Sequence, residues 1–250
     1  MITGERVTTP AGGFNPTWQR HVAAYEQCAR FLPEDGPVLD LGCGIGHSHR
    51  LLAPRETVGV DIDPAALAGQ HRETHVADML DLPFENGRFA AVLAVQSIEH
   101  VPDPERVLAE AVRVLQPRGV SVMVTPNRLT FARPDEIIDP YHYVEYDASQ
   151  LRSLCSPFFA SVELYGLFGS KRYLELVARE SRRLDALLRR DPLRLRRTLP
   201  RRARQWLYDM ALTRSRAGED SRAAAITRED FMVRENELDA CLDLVAVCRP

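Results

Sequence analysis

Short, continuous apolar runs recur through the first half of the chain. Most of them have no polar residue at every second position, and a strand of this kind is typical of a sheet buried on both faces. The predicted strands are residues 37–42, 57–61, 89–96 and 119–125, with a weaker strand at 73–78.

Helical spacing lies before and between these runs. Residues 16–32 place apolar side chains on one face after Pro16, and residues 104–115 do the same before Pro117 and Gly119. Strands that alternate with helices predict an α/β fold with a parallel sheet.

The second half has a looser pattern. Residues 126–146 are rich in Pro, Tyr and Asp and predict a functional loop, which we call the acceptor loop. Residues 147–155 predict a helix capped by Asp147 or Ser149. Two late strands, at 160–167 and 241–249, are expected to form an antiparallel pair at the sheet edge.

Between these late strands lies a helical, arginine-rich stretch, residues 171–225, which we call the insertion. Pro192 and Pro200 break it into pieces, and a further helix is expected around Trp206. One predicted apolar stripe consists of Leu174, Val177, Leu184 and Leu188. The pattern predicts a single domain over residues 1–250 that carries this insertion.

Composition adds a charge asymmetry. The chain has 250 residues with 32 basic and 35 acidic side chains, and Lys171 is its only lysine. Residues 171–222 carry 16 basic and 7 acidic side chains, a net +9 that leaves −12 for the rest. The five cysteines form no CxxC pair, and no transmembrane or secretory segment is recognised, so a cytoplasmic protein with reduced thiols is expected.

A glycine-rich string follows the first predicted strand. Gly42, Gly44 and Gly46 remove Cβ atoms at the carboxyl end of a strand, where open α/β sheets bind ligands. A dinucleotide loop needs a small residue at position 47, and His47 disfavours it. Asp40 would repel a pyrophosphate and attract an ammonium group, so a nucleoside with a cationic amino-acid tail fits better.

Residues 40–46, Asp-Leu-Gly-Cys-Gly-Ile-Gly, resemble the first motif of class I S-adenosylmethionine-dependent methyltransferases. The strings at 58–63, 77–79, 97–103 and 114–119 agree with it in order. Together they resemble the subgroup of ubiquinone-type and natural-product O-methyltransferases. The resemblance implies a Rossmann-like, seven-stranded, mostly parallel sheet with helices on both faces and the insertion before the last strand. It also implies S-adenosylmethionine as cofactor.

The resemblance assigns the cofactor residues one by one. Asp40 and the backbone of Gly42, Gly44 and Gly46 hold the methionine part, while Asp61, with Ile62 beside it, receives the ribose. Asp78 and Met79 contact the adenine, and Gln96 and Ser97 lie near the sulfonium. Arg20 is a candidate partner for the methionine carboxylate, although an ordinary solvated arginine is the favoured interpretation. Asp63, before Pro64, is expected to cap a helix.

Three residues are candidates for the chemistry. An alcohol acceptor must lose its proton, and His100 and His142 are the candidate bases, with Glu145 orienting His142. A structural role is the alternative for each histidine. No metal site is expected, because no ligand motif surrounds His71 and His75.

The expected reaction is methyl transfer to a hydroxyl of a small molecule, such as a sugar or another metabolite. RNA methylation through the basic insertion is the first alternative, although residues 125–128 lack the Asn/Asp-Pro-Pro-aromatic string of amino-methylating nucleic-acid enzymes. A non-catalytic, cofactor-binding scaffold is the second. The insertion is interpreted as a lid or partner surface, with peripheral membrane contact as a further alternative.

Overall fold

An eight-stranded sheet forms the centre of the protein. The computed structural model describes residues 15–131, 137–189, 198–216 and 221–250. The strands are β1 (Val38–Leu41), β2 (Thr57–Asp61), β3 (Thr74–Val76), β4 (Phe89–Val95), β5 (Leu115–Pro126), β6 (Ser161–Gly169), β7 (Phe231–Arg234) and β8 (Asp243–Arg249). Their order is β3-β2-β1-β4-β5-β8-β6-β7. Strands β1 to β5 are parallel, and β8 pairs antiparallel with both β5 and β6.

Helices lie on both faces of the sheet. They are α1 (Asn15–Cys28), α2 (Ser48–Leu51), α3 (Pro64–Leu67), α4 (Pro104–Val114), α5 (Arg128–Phe131), α6 (Ala148–Cys155), α7 (Lys171–Leu188), α8 (Arg201–Arg216) and α9 (Ser221–Ala224). Side chains of α1, α7 and α9 join the apolar core on one face, and those of α4 and α6 join the core on the other. The predicted α/β class and two-sided covering are confirmed.

Several local predictions are also confirmed. Strand β2 has the predicted bounds, and Asp63 caps α3 by accepting from Ala65 N. Asp147 caps α6 in a capping box with Gln150, so the first of its two proposed caps is the one used. The late strands β6 and β8 do pair antiparallel, but they do not lie at the sheet edge, which β7 occupies.

The sheet has one strand more than the seven predicted. Strand β7 pairs antiparallel with β6 at the edge, so the insertion precedes the last two strands and not the last one alone. Only Phe231 and Val233 of its four residues are buried. Such a short run, directly after the charged residues 228–230, gives little strand signal.

The buried face of α7 differs from the predicted stripe. Leu174 is 46% exposed and Val177 is partly buried, whereas Tyr173 and Leu176 are buried. Tyr173 stacks edge-on against Phe231 of β7, which is why this face of the helix turns inward. The side chains of Leu184 and Leu188, and Pro192, lie outside the described residues.

The topology positions one crevice. The strand order reverses between β1 and β4, whose carboxyl ends lie side by side, with Leu41 opposite Ala94. Open α/β sheets bind ligands at such a point. Across the described ranges, no helix combines the length and apolar character needed to span a membrane.

Candidate active site

The glycine loop after β1 lies against two other predicted cofactor residues. Gly42, Gly44 and Gly46 all have left-handed backbones, with φ of +68°, +52° and +77°. A Cβ atom on Gly42 would lie 2.7 Å from Ser97 Cβ and 3.5 Å from Met79 Cε. Three segments far apart in sequence therefore meet where only a glycine fits.

Asp61 connects β2 to this loop. Its Oδ2 accepts a hydrogen bond from Gly44 N at 3.0 Å, and its Oδ1 accepts one from Asp63 N at 2.9 Å. The next residue, Ile62, is 68% exposed beside it. The carboxylate thus fixes the loop while an apolar side chain stands open to a ligand.

Asp78, Gln96 and Ser97 complete the predicted set. Asp78 is exposed and accepts from Leu80 N at 2.9 Å. Gln96 has a φ of +51°, rare for a residue other than glycine, and donates to Asp243 Oδ1 at 3.1 Å. Ser97 Oγ is buried and has no hydrogen-bond partner among the described residues. A buried polar atom without a partner marks a place where a ligand group fits.

Asp40 has protein partners in place of the expected ligand ammonium. It is fully buried and accepts from Tyr25 Oη at 2.9 Å, from Arg72 Nη2 at 3.1 Å and from Ser48 Oγ. Gly59 lets the arginine pass, because a Cβ atom there would lie 2.9 Å from Arg72 Nη2. Arg72 balances the buried charge, and no motif in the sequence marks it for this role.

Arg20 is largely buried rather than solvated, and its Nε and Nη2 atoms already bind protein groups instead of a ligand carboxylate. Its Nε and Nη2 donate to Asp243 at 2.7 and 2.5 Å, and Nη2 also donates to Leu242 O at 2.9 Å. Burial alone would lower the pKa of Arg20, but the Asp243 carboxylate outweighs it and the pKa is raised. This ion pair ties α1 to the start of β8.

An aromatic cluster of α1 covers the glycine loop. The His47 ring lies 4.6 Å from Trp18, 4.9 Å from His21 and 5.4 Å from Tyr25, centroid to centroid. Burial lowers the pKa of His21 to about 3 and that of His47 to about 4. Neither His47 nitrogen, nor His21 Nδ1, has a hydrogen-bond partner in the described chain. The sequence was used only to argue from His47 against a dinucleotide loop, although the position of this residue directly after Gly46 was a usable signal.

The three predicted catalytic residues come together. His142 Nδ1 lies 2.9 Å from Glu145 Oε1, in the i to i+3 contact that the sequence suggested without settling its geometry. The chain bends at Tyr143, between the two residues, and Tyr143 N donates to Glu99 O at 2.8 Å. The His100 ring lies 5.0 Å from His142, and His100 ends the 3-10 turn Ile98–His100 that directly follows Ser97.

The two histidines have opposite electrostatic surroundings. Burial lowers the pKa of His100 to about 4, so it is neutral near pH 7. Burial acts in the same direction on His142, but the hydrogen bond to Glu145 and the charges of Glu99 and Asp139 outweigh it and raise the pKa of His142. His142 is therefore the stronger base of the two.

Glu99 is a member of this cluster that sequence reasoning missed. It is buried, and burial raises the pKa of its carboxyl to about 7. Its Oε2 accepts from Thr125 Oγ1 at 3.0 Å, and its Oε1 has no hydrogen-bond partner in the ranges described. One ligand atom from each of Glu99, His100 and His142 lies within 4.8 Å of the other two. Tetrahedral zinc ligands stand about 3.4 Å apart, so these three residues are metal-ligand candidates that the sequence did not indicate.

An open cleft of 410 Å³ lies beside His100. The acceptor loop forms one wall with Tyr141 and Tyr143, and α8 forms the other with Arg201, Arg202 and Gln205. Arg201 Nε donates to Pro140 O and its Nη2 to Tyr141 O, both at 3.0 Å. The insertion therefore reaches the acceptor loop and shapes its opening.

Comparisons with known proteins agree with this geometry. A family model described as a methyltransferase domain matches residues 39–123. A Mycobacterium tuberculosis protein named "Probable S-adenosylmethionine-dependent methyltransferase" is 30% identical over 98% of this chain and 88% of its own length. The chain belongs to the S-adenosylmethionine-dependent methyltransferase family. S-adenosylmethionine is its cofactor, as predicted.

Two further relatives of the methyltransferase add detail. The chloroplastic tocopherol O-methyltransferase of Arabidopsis thaliana is 34% identical over 49% of this chain and 38% of its own length. A solved methyltransferase structure from Thermotoga maritima, titled a possible histamine N-methyltransferase, superposes with a TM-score of 0.59. That match covers 92% of this chain and 90% of the other at 15% identity, and it supports the fold alone.

We expect Gly42→Ala to damage both stability and cofactor binding. The new Cβ would collide with Ser97. The alanine would also have to keep a left-handed backbone, which costs about 1–3 kcal/mol. Gly69→Ala is the matched control, because Gly69 has a similar φ of +76° but open space around it. Urea unfolding and calorimetric binding of S-adenosylhomocysteine should show a larger stability loss, and weaker binding, only for Gly42→Ala. Equal losses in the two variants would contradict the close approach.

Proposed function

We propose that this methyltransferase transfers the methyl group of S-adenosylmethionine to a hydroxyl group of a small molecule. The observation that carries the proposal is the buried His142–Glu145 pair next to His100. His100 follows the carboxyl end of β4, and the glycine loop follows the carboxyl end of the neighbouring strand β1. A sulfonium methyl is already activated, so the protein must align the acceptor and remove its proton. A carboxylate-oriented histidine is suited to that task.

The residues at the sheet edge fit the cofactor. We assign the methionine part to the backbone of Gly42–Gly46, and its reactive end to Gln96 and Ser97. Support comes from the unpartnered Ser97 Oγ and from the open space in front of Gly44. Further nitrogens without a partner among the described residues belong to His21 of α1 and to His47 at the start of α2.

The nucleoside part of the cofactor is assigned to the carboxyl ends of β2 and β3. Asp61 receives the ribose hydroxyls, with Ile62 against the base, while Asp78 and Met79 bind the adenine. Charge-assisted hydrogen bonds to a carboxylate are the strong kind. Asp40 and Arg20 are proposed to act as positioning residues, because their charges are already balanced within the protein.

Proton removal is assigned to His142. Glu145 favours the tautomer with its hydrogen on Nδ1, which leaves the lone pair on Nε2. The acceptor oxygen forms its bond to the methyl carbon as the carbon–sulfur bond breaks, and the hydroxyl proton passes to His142 Nε2. The products are the methyl ether and S-adenosylhomocysteine. His100 lines the cleft and is assigned the positioning of the acceptor oxygen.

One of the relatives supports oxygen as the accepting atom. The Arabidopsis relative is named as an O-methyltransferase, and this is consistent with the predicted ubiquinone-type and natural-product subgroup. The residues 171–225 are proposed to act as a lid, supported by the two bonds from Arg201 to the acceptor loop. Five free cysteines among the described residues favour a reducing compartment such as the cytoplasm.

RNA methylation is the second candidate, favoured by Arg201 and Arg202 of α8, which line the cleft. Incubation with labelled S-adenosylmethionine and separate metabolite and RNA fractions distinguishes the candidates. The small-molecule proposal expects label in a metabolite. Label in RNA would contradict it, and cofactor binding with no transfer to any fraction would favour a scaffold.

Asp61→Ala should weaken the binding of S-adenosylhomocysteine about 100-fold, because two charge-assisted hydrogen bonds are lost. Asp61→Asn keeps acceptor oxygens without the charge and should lose about 10-fold. Asp63→Ala, which removes the cap of α3, serves as control and should stay within threefold. Calorimetry gives the dissociation constants, and an unchanged value for Asp61→Ala would refute the ribose assignment.

His142→Ala should lower kcat about 10²- to 10³-fold while the affinity for S-adenosylhomocysteine stays within twofold, since the base acts in the reaction step. His71→Ala is the control, an exposed histidine away from the pair. A larger loss for His100→Ala would move the base to that residue. If a chelator abolished the activity and Zn²⁺ restored it, the result would favour a metal site over a histidine base.

Glu145→Gln should shift the pH profile of kcat/KM. In the wild type, the rate rises with pH through the raised pKa of His142, because only neutral histidine accepts a proton. Without the carboxylate that pKa falls, so the midpoint moves to lower pH and the plateau drops. A lower plateau with an unmoved midpoint would indicate a purely structural Glu145.

A further inference from the structure

The cleft beside His100 has an unbalanced positive charge. Arg201 is held by the carbonyl oxygens of Pro140 and Tyr141, and its Cζ lies 3.8 Å from the centre of the Tyr143 ring. These partners are uncharged. Of the carboxylates in the described ranges, none forms an ion pair with Arg201 or Arg202.

The negative charges of this region lie elsewhere. Glu99, Asp139 and Glu145 are buried around His142, and none of them lines the cleft. Asp209 of α8 is buried and accepts from Tyr141 Oη at 2.6 Å, which also fixes that wall. The cleft is therefore lined by arginines and His100, while the carboxylates and His142 lie buried behind His100.

Arg201 is arranged in advance for a ligand. Its two hydrogen bonds and its contact with Tyr143 restrict the guanidinium, so less conformational entropy is lost when an anion arrives. Arg202 is exposed next to it, and Gln205 follows one turn later on the same side of α8. Guanidinium and amide groups facing one space are typical of sites for oxyacid anions.

We propose that the acceptor is a small molecule that carries an oxyacid anion, meaning a phosphate, sulfate or carboxylate group. Arg201, Arg202 and Gln205 bind the anion at the cleft opening, and the acceptor hydroxyl points to His100 and His142. The inference rests on the proposed O-methyl transfer and adds the substrate class.

The shape of the cleft favours a small molecule over RNA. Its 410 Å³ are bounded by six side chains, two from the acceptor loop, three from α8 and His100 from the turn after β4. Single-stranded RNA is bound by aromatic faces on which bases stack. Arg201 already covers one face of the Tyr143 ring.

The test measures binding of simple anions to the protein saturated with S-adenosylhomocysteine. Calorimetry compares phenyl phosphate, phenyl sulfate, benzoate and neutral phenol, with the wild type, Arg202→Gln and Arg118→Gln. Arg118 is an exposed arginine near the start of β5 and does not line the cleft, so it serves as the matched control. At least one anion should bind while phenol does not. Arg202→Gln should weaken that binding about 10-fold, and Arg118→Gln should leave it within twofold.

Other outcomes separate this inference from the proposed function. If His142→Ala binds the anion normally but transfers no methyl group to any hydroxyl compound, the cleft assignment stands and the base is also supported. If an anion binds and the wild type methylates only a nitrogen or carbon acceptor, O-methyl transfer fails and the anion site stands. Equal binding of phenol and the anions, or an equal effect of the two arginine variants, would overturn the anion site. So would a short RNA that binds in an Arg202-dependent manner where phenyl phosphate does not.

Discussion

The buried carboxylate of Asp40 is the constraint on which the cofactor half of the fold depends. A charge without solvent is costly unless it is paired and hydrogen-bonded, and removal of one partner of such a pair typically costs 3–5 kcal/mol. Here the partners are Tyr25 of α1, Ser48 of α2 and Arg72 after α3. Three separate segments are thereby held against the end of β1, directly before the glycine loop. Asp243 fulfils the same role at the start of β8, through Arg20 and Gln96.

The acceptor half is organised by a separation of charge and not by a single pair. Buried carboxylates surround His142, and two arginines that form no ion pair with any carboxylate of the described ranges line the cleft. The neutral His100 lies between the two regions. Such an arrangement orients an elongated acceptor with its anionic end outward before any specific contact is made.

Much of the fold could be predicted because its signal is local. Continuous apolar runs identify β1, β2, β4 and β5, and Asp63 and Asp147 mark helix starts by residue type alone. The partners of Asp40 and Arg20 could not be found in this way, since Arg72 lies 32 positions from Asp40 and Asp243 lies 223 positions from Arg20. Strand β7 was missed because four residues, two of them exposed, resemble a loop. The contact between His142 and Glu145 needed a bend whose geometry no spacing specifies.

The junction between α8 and the acceptor loop has an evolutionary consequence. Arg201 binds main-chain oxygens of Pro140 and Tyr141, and these are present whatever side chains the loop carries. Substitutions in the acceptor loop, or in α8 at positions other than Arg201, can therefore alter the opening while the junction itself persists. None of these bonds involves the glycine loop or the ends of β1 and β2. New acceptor preferences can therefore arise by substitutions around the cleft while the cofactor-binding residues are inherited unchanged.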